Sequence, residues 1–190
     1  MTLVPCGVCE NGPVLVLFHS ALAFILVGAL AKLRAPRQSA AAFVSLLRIR
    51  WVGKLWVVRA LGCVELSPVV LALLGATKAA AILAALLYAV FSFAIELGMA
   101  RGVADCGCLG GSVSPPTRGH SLLCFLFALC CLAVAVNGVD SFSEVISSQP
   151  MLGIPYLLAL GTTAALLAHL VGIATELAAL VSARRSGVVR

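Results

Sequence analysis

Residues 79–100 read AAAILAALLYAVFSFAIELGMA, a run in which Glu96 is the only charge. A helix at a water-exposed surface needs a polar face, and this one has none. Its length matches the roughly 20 apolar residues that carry an α-helix across the hydrocarbon of a bilayer. Working outward, comparable runs occupy 14–33, 55–76, 122–138 and 153–181, the fourth along the chain short and the fifth long. Five membrane helices are therefore expected. Because lipid offers backbone groups no hydrogen bonds, spans of this kind fold as helices and not as irregular segments. The expected fold is all-α, a polytopic membrane helical bundle forming a single integral membrane domain over 1–190.

Composition agrees. The chain is 62% hydrophobic and 11% charged, against about 25% charged in an average soluble protein, and its mean hydropathy is +1.14. The net charge of +6 does not point to nucleic acid, because the basic residues flank apolar spans and build no separate soluble module. Ala29-Leu30-Ala31 resembles a signal-peptidase site, yet residues 1–13 contain no Lys or Arg and the apolar run exceeds a signal core. The first span is expected to stay attached.

The basic residues also set an orientation. One side of the five-span arrangement collects Lys32, Arg34, Arg37, Arg48, Arg50, Lys54, Arg101, Arg118, Arg184, Arg185 and Arg190, and the other has only Lys78. By the positive-inside rule the crowded side is cytoplasmic. The N-terminus is then outside, with the acidic loop of Asp140 and Glu144, and the C-terminus inside. Between the first two spans, Phe43, Leu46 and Leu47 follow helical spacing among arginines, as in a helix lying along anionic headgroups or in an ordinary basic connector.

Eight cysteines are many for this length. Cys63, Cys124, Cys130 and Cys131 lie in apolar stretches and read as small buried hydrophobes. Two pairs lie in polar turns. Asp105-Cys106-Gly107-Cys108 places two thiols around one Gly, and a disulfide closing so small a ring is strained and easily reduced, which suits exchange better than stapling. Asp105 either raises the neighbouring thiol's pKa by repulsion or accepts its proton, and Arg101 acts in the opposite sense. Half of a metal site with His120, or a structural turn, are the alternatives. Cys6-Gly7-Val8-Cys9 is a Cys-x-x-Cys, a spacing that often lowers the pKa of one thiol. A lone disulfide or a zinc ligand pair competes there, although the four ligands of a structural zinc site are not in view and no metal is expected. An odd number of crossings separates the two pairs, so they lie on opposite sides.

Ionisable residues inside spans are expected to face a partner or a cavity. Arg59 and Glu65 are six residues apart and not on one face, which makes Glu96 the candidate partner of Arg59. The three read either as a structural charge cluster or as a proton or quinone site. His19 and His169 read as core or interfacial histidines, and Gly98 with Gly102 as a GxxxG packing face.

Several of these residues together resemble a known family. Arg101-Gly102 followed by Asp105-Cys106-Gly107-Cys108-Leu109-Gly110 is similar to the Arg-Gly…Asp-Cys-Gly-Cys-Phe-Gly signature of MauE, the methylamine-utilisation membrane protein, and its DoxX-like relatives. Leu109 stands where Phe is usual. Lys32-Leu33-Arg34-Ala35-Pro36 is similar to that family's Lys-Leu-Arg-x-Pro element, and Glu65 to its second-helix Glu. The likeness covers roughly 14–138. It implies a four-helix core, with 153–181 as an additional transmembrane helix, and redox maturation of extracytoplasmic proteins alongside a thioredoxin-like partner.

The resulting expectation is a thiol–disulfide redox protein of the bacterial inner membrane. Cys106 and Cys108 form its core pair, Cys6 and Cys9 an external pair, and an extracytoplasmic protein is the client. The residues assign no cofactor, and a quinone is the candidate if one is used. Because sulfurs must touch to react, direct exchange across about 30 Å of hydrocarbon is excluded. A non-catalytic assembly factor, in which every cysteine is replaceable, and a small-solute transporter lined by Arg59, Glu65 and Glu96 are the rival expectations.

Overall fold

The computed structural model describes residues 7–103, 117–139, 141–148 and 154–163, together with 165, 166 and 173. In chain order the helices are α1 (Gly7–Arg34), α2 (Pro36–Leu47), a 3-10 turn at Arg50–Gly53, α3 (Leu55–Leu73), α4 (Thr77–Ala100), α5 (Arg118–Asn137) and α6 (Phe142–Ser148). A shorter apolar helix, α7, follows at Ile154–Thr163. No strand occurs among the described residues. Four helices there are long and apolar enough to cross a membrane: Pro13–Arg34, Leu55–Leu73, Thr77–Ala100 and Arg118–Asn137. The expected fifth span, 153–181, falls largely outside the described residues, and α7 is its described part.

Local chemistry sets each boundary. The helix of α1 stops before Pro36, since a residue preceding proline is pushed out of the α region, and Ala35 sits at φ −126°, ψ 58°. Pro36 then opens α2 from the first helical position, where its missing N–H does no harm. α3 ends earlier than its hydropathy suggests. Gly75, at φ +81°, accepts the left-handed conformation, and the bonds Gly75 N–H to Ala72 O (3.1 Å) and Ala76 N–H to Leu71 O (2.9 Å) close a Schellman turn into α4. α4 ends in the same way at Gly102 (φ +63°), with Gly102 N–H to Met99 O and Val103 N–H to Gly98 O. A Cβ at Gly102 would meet nothing within 4 Å. Gly102 is thus a helix stop and not a packing contact, which corrects its half of the GxxxG expectation, while Gly98 is buried in α4. α5 begins a full turn before residue 122 because the Thr117 side chain accepts from His120 N–H at 3.2 Å, giving a span of 20 residues where a short one was expected.

The four spans alternate in direction and share one core. Phe18, Leu22 and Ile25 of α1 meet Ala80, Ala81, Ala84, Tyr88 and Ile95 of α4 and Cys124, Phe127, Cys131 and Val134 of α5. The three alanines leave room for close helix approach, the main source of adhesion between helices in lipid. Tyr88 and Phe127 pack with ring centroids 5.1 Å apart, and the Tyr88 hydroxyl donates to Ala21 O at 2.6 Å. Outward-facing Val27, Ile82, Leu86, Phe93 and Leu132 are exposed, as a lipid-facing surface requires. α2 does form the helix its spacing predicts, turning Ser39, Ala40, Ala42 and Leu46 inward.

Candidate functional site

At one end of the bundle gather the C-termini of α1 and α4, the N-termini of α3 and α5, and α2. Gly62 of α3 lets α1 approach closely there. A Cβ at that position would lie 3.2 Å from Leu33 and 3.3 Å from Ala29 O. This contact brings Lys32, in the last turn of α1, against Glu65, midway along α3. Lys32 Nζ donates to Glu65 Oε2 at 2.9 Å, and both side chains are only 1% exposed. The ammonium also lies 5.7 Å from the centroid of the Phe91 ring on α4, within range of a cation–π contact. Glu65 Oε1 is buried without a hydrogen-bond partner among the described residues.

Around this buried pair are exposed cations. Arg34, Arg37 and Arg59 line a cleft of about 390 Å³ between the end of α1, the start of α2 and the first turns of α3. Arg101, at the end of α4, donates through Nη1 to Leu46 O and so fastens α2 to the bundle. His120 is buried in the first turn of α5. The chain between Val103 and Thr117 joins these two helix ends and contains Asp105, Cys106 and Cys108, which lie outside the described residues. Cys6 does too. Cys9 falls in the first turns of α1, and its side chain is not among those described.

The sequence expectation for the buried charges needs correction. Arg59 does not pair with Glu96. Arg59 is exposed and lines the cleft, Glu96 is exposed on α4, and neither makes an ion pair among the described residues. Arg59 sits one turn inside α3, where its long stem carries the guanidinium back to the helix end. Arg59, Glu65 and Glu96 therefore do not share a site among the described residues. Lys32 is what sequence reasoning missed as a site residue. Its position in a loop-flanking Lys-Leu-Arg made it look like a topology signal, although the place of Glu65 inside an apolar span left a buried acid in need of a base.

The remaining cysteines divide. Cys124 and Cys131 are buried as expected and Cys130 is half-buried, its thiol 3.8 Å from Val14 O. Cys63 is exposed on α3, because the inward face of that helix is taken by Val58, Gly62 and Glu65. All four are free thiols. At the opposite end, His19 is buried with Nδ1 3.1 Å from Leu15 O and hydrogen-bonded to the Tyr156 hydroxyl. Its ring packs on Phe142 and Tyr156, so the histidine ties α6 and α7 to α1 in the structural role expected of it. No cluster of three His, Cys, Asp or Glu residues forms among the described residues.

Lys32 with Glu65, and Arg101 with Gly102, all described elements of the motif set, thus lie toward the end of the bundle where the cysteine-bearing loop begins and ends. A family model described as methylamine utilisation protein MauE matches residues 12–141. This chain belongs to the MauE family. The MauE match spans α1 from its membrane-entering turn to the start of α6, close to the limits at which the motif resemblance was placed. Cys6, Cys9 and α7 fall outside it. Comparisons with curated proteins and with solved structures give no match.

Proposed function

We propose that this MauE-family protein is a multi-pass membrane thiol–disulfide exchange protein acting in methylamine utilisation, with Cys106 and Cys108 as its reactive pair. The observation that supports this most is the convergence of the motif residues. The Lys32–Glu65 pair fixes α1 to α3, and the Arg101–Leu46 bond fixes α4 to α2, at the end from which the Cys106 loop departs. Cations at that end, Arg34, Arg37, Arg59 and Arg101 among them, favour a thiolate over a thiol in a cysteine near them.

The exchange is an ordinary two-step transfer. One thiolate of the pair attacks a partner disulfide, forming a mixed disulfide and expelling a partner thiolate. The second thiolate then attacks the mixed disulfide, leaving Cys106–Cys108 oxidised and the partner a dithiol. The reverse sequence oxidises a partner dithiol. The dense Lys and Arg set on the Cys106 side supports a cytoplasmic position for that side, in a bacterial inner membrane. Cys6 and Cys9, outside, meet a thioredoxin-like protein that serves an extracytoplasmic client. Because sulfurs must touch to react, a mobile loop, a membrane cysteine such as Cys63 or Cys124, or a quinone carries the electrons between the two pairs. The segment 153–181 crosses as a fifth helix and returns the C-terminus to the cytoplasm.

Single Cys106→Ser and Cys108→Ser variants test the reading. Each is expected to insert normally and to stop client maturation, and one should accumulate a mixed disulfide that its missing partner cannot resolve. Full maturation in the double serine variant would replace redox exchange with the assembly-factor role.

A further inference from the structure

The cleft beside α2 carries charge that the bundle itself does not use. Glu65, the buried acid of α3, is committed to Lys32. Arg34, Arg37 and Arg59 are exposed, make no ion pair among the described residues, and share one cleft in which no described lining residue is acidic. Three guanidiniums from three helices repel one another unless an anion lies between them. The start of α2 adds to the field, since no side chain caps it and its first turn contains no acid; a helix N-terminus favours negative charge. The volume, about 390 Å³, falls within the roughly 300–1,000 Å³ usual for small-ligand sites.

We propose that this cleft binds the phosphate of an anionic phospholipid. Phosphate chemistry follows from the guanidiniums, whose planar forks match its oxygens. A lipid is favoured over free phosphate by the apolar wall. Leu55 lines the cleft and is 39% exposed, and Trp56 beside it is 66% exposed, so an apolar surface runs from the phosphate position onto the outer face of α3. Acyl chains fit that surface and inorganic phosphate makes no use of it. The bound headgroup joins the end of α1, the start of α2 and the first turns of α3, and so braces the end of the bundle that carries the Cys106 loop.

The test uses the purified full-length protein in a neutral detergent, with bound lipid counted by native mass spectrometry. The probes are dioleoylphosphatidylglycerol and dioleoylphosphatidylcholine, with inorganic phosphate as competitor. Phosphatidylglycerol is expected to bind at least tenfold tighter than phosphatidylcholine and to resist millimolar phosphate. Each arginine near a membrane surface contributes roughly fivefold to such binding, so the R34Q/R37Q/R59Q variant should lose about a hundredfold, while R118Q, at an exposed arginine of the same end, stays within about twofold. The wild-type comparison of the two lipids holds even if the triple variant folds poorly. Equal binding of both lipids, an unchanged triple variant in native-like helical form, or full displacement by phosphate would each overturn the assignment, the last by giving the cleft to a free phosphate compound.

Discussion

The buried Lys32–Glu65 pair allows a quantitative test of how this bundle is held together. Both side chains are 1% exposed and meet at 2.9 Å, so neither charge can turn to water when its partner is removed. Truncating one member of a buried pair typically destabilises by about 3–5 kcal/mol, chiefly because the other charge stays buried. Glu65→Leu and Lys32→Met are each expected in that range. In the Lys32→Met protein the strain is doubled at one carboxylate, since Glu65 Oε1 already has no hydrogen-bond partner among the described residues and Oε2 would lose its own. Glu65→Gln keeps an acceptor for the ammonium and should fall below both.

The double variant Lys32→Met/Glu65→Leu decides the cause. Replacing a whole buried pair by apolar residues is often neutral or stabilising, so the double variant should recover most of what either single loses. The four proteins form a double-mutant cycle, read by denaturant unfolding in detergent micelles with helical circular dichroism as the signal. Arg59→Leu serves as the contrast: its side chain is exposed, and a change within about 0.5 kcal/mol is expected. Additive single losses, with no recovery in the double variant, would show that the pair contributes nothing as a pair. A large loss in Arg59→Leu would restore the charge cluster that its position in the sequence suggests.

Two further outcomes follow from the ends of the bundle. Membrane-impermeant maleimide applied to intact, reduced cells should label Cys6 and Cys9 and spare Cys106 and Cys108; the opposite pattern would reverse the proposed orientation. At α6, Glu144 accepts from Ser141 N–H at 2.7 Å and from Ser141 Oγ at 2.6 Å, and its own N–H faces Ser141 Oγ at 3.4 Å, a reciprocal capping box. These bonds hold the Glu144 carboxyl below its ordinary pKa. A depressed folded-state pKa means that the stabilisation is fully present above the unfolded carboxylate value and is lost as pH falls through the folded one. Protection of the α6 amides, taken relative to the intrinsic exchange rate at each pH, should therefore fall on acidification in the native chain, and Glu144→Gln should remove that pH dependence; an unchanged protection profile in Glu144→Gln would rule the cap out as its source.

The spans were legible in sequence because hydropathy over 20 residues reports the one constraint a bilayer imposes, that backbone groups bond internally. What hydropathy blurred were the ends. Leu74 and Ala76 are as apolar as the residues before them, and only the left-handed demand at Gly75 marks the stop. Conversely, His120 and Ser121 look like loop residues until Thr117 is recognised as a cap that draws them into α5. Apolarity also said nothing of direction around a helix. Cys63 and Cys124 occupy equally greasy runs, yet α3 turns Cys63 outward and α5 turns Cys124 into the core, since in lipid both faces of a span are apolar and packing alone separates them.

The charges tell the same story at the site. Spacing along α3 showed correctly that Arg59 and Glu65 lie on different faces, but the step from there to Glu96 treated any charge in an apolar run as buried. Depth decides instead. Arg59 lies one turn from the start of α3 and reaches the cleft rim, whereas Glu65 lies near the middle of its helix, where no rotamer reaches water and a cation must come to it. The cation nearest in height is the one at the far end of the antiparallel neighbour α1, which is Lys32. Counting height from the helix ends, in addition to face around the helix, therefore sorts the three arginines of the rim from the buried pair, and it makes the pair and the rim separable parts of the same end: one a lock between α1 and α3, the other a cationic surface beside the start of α2.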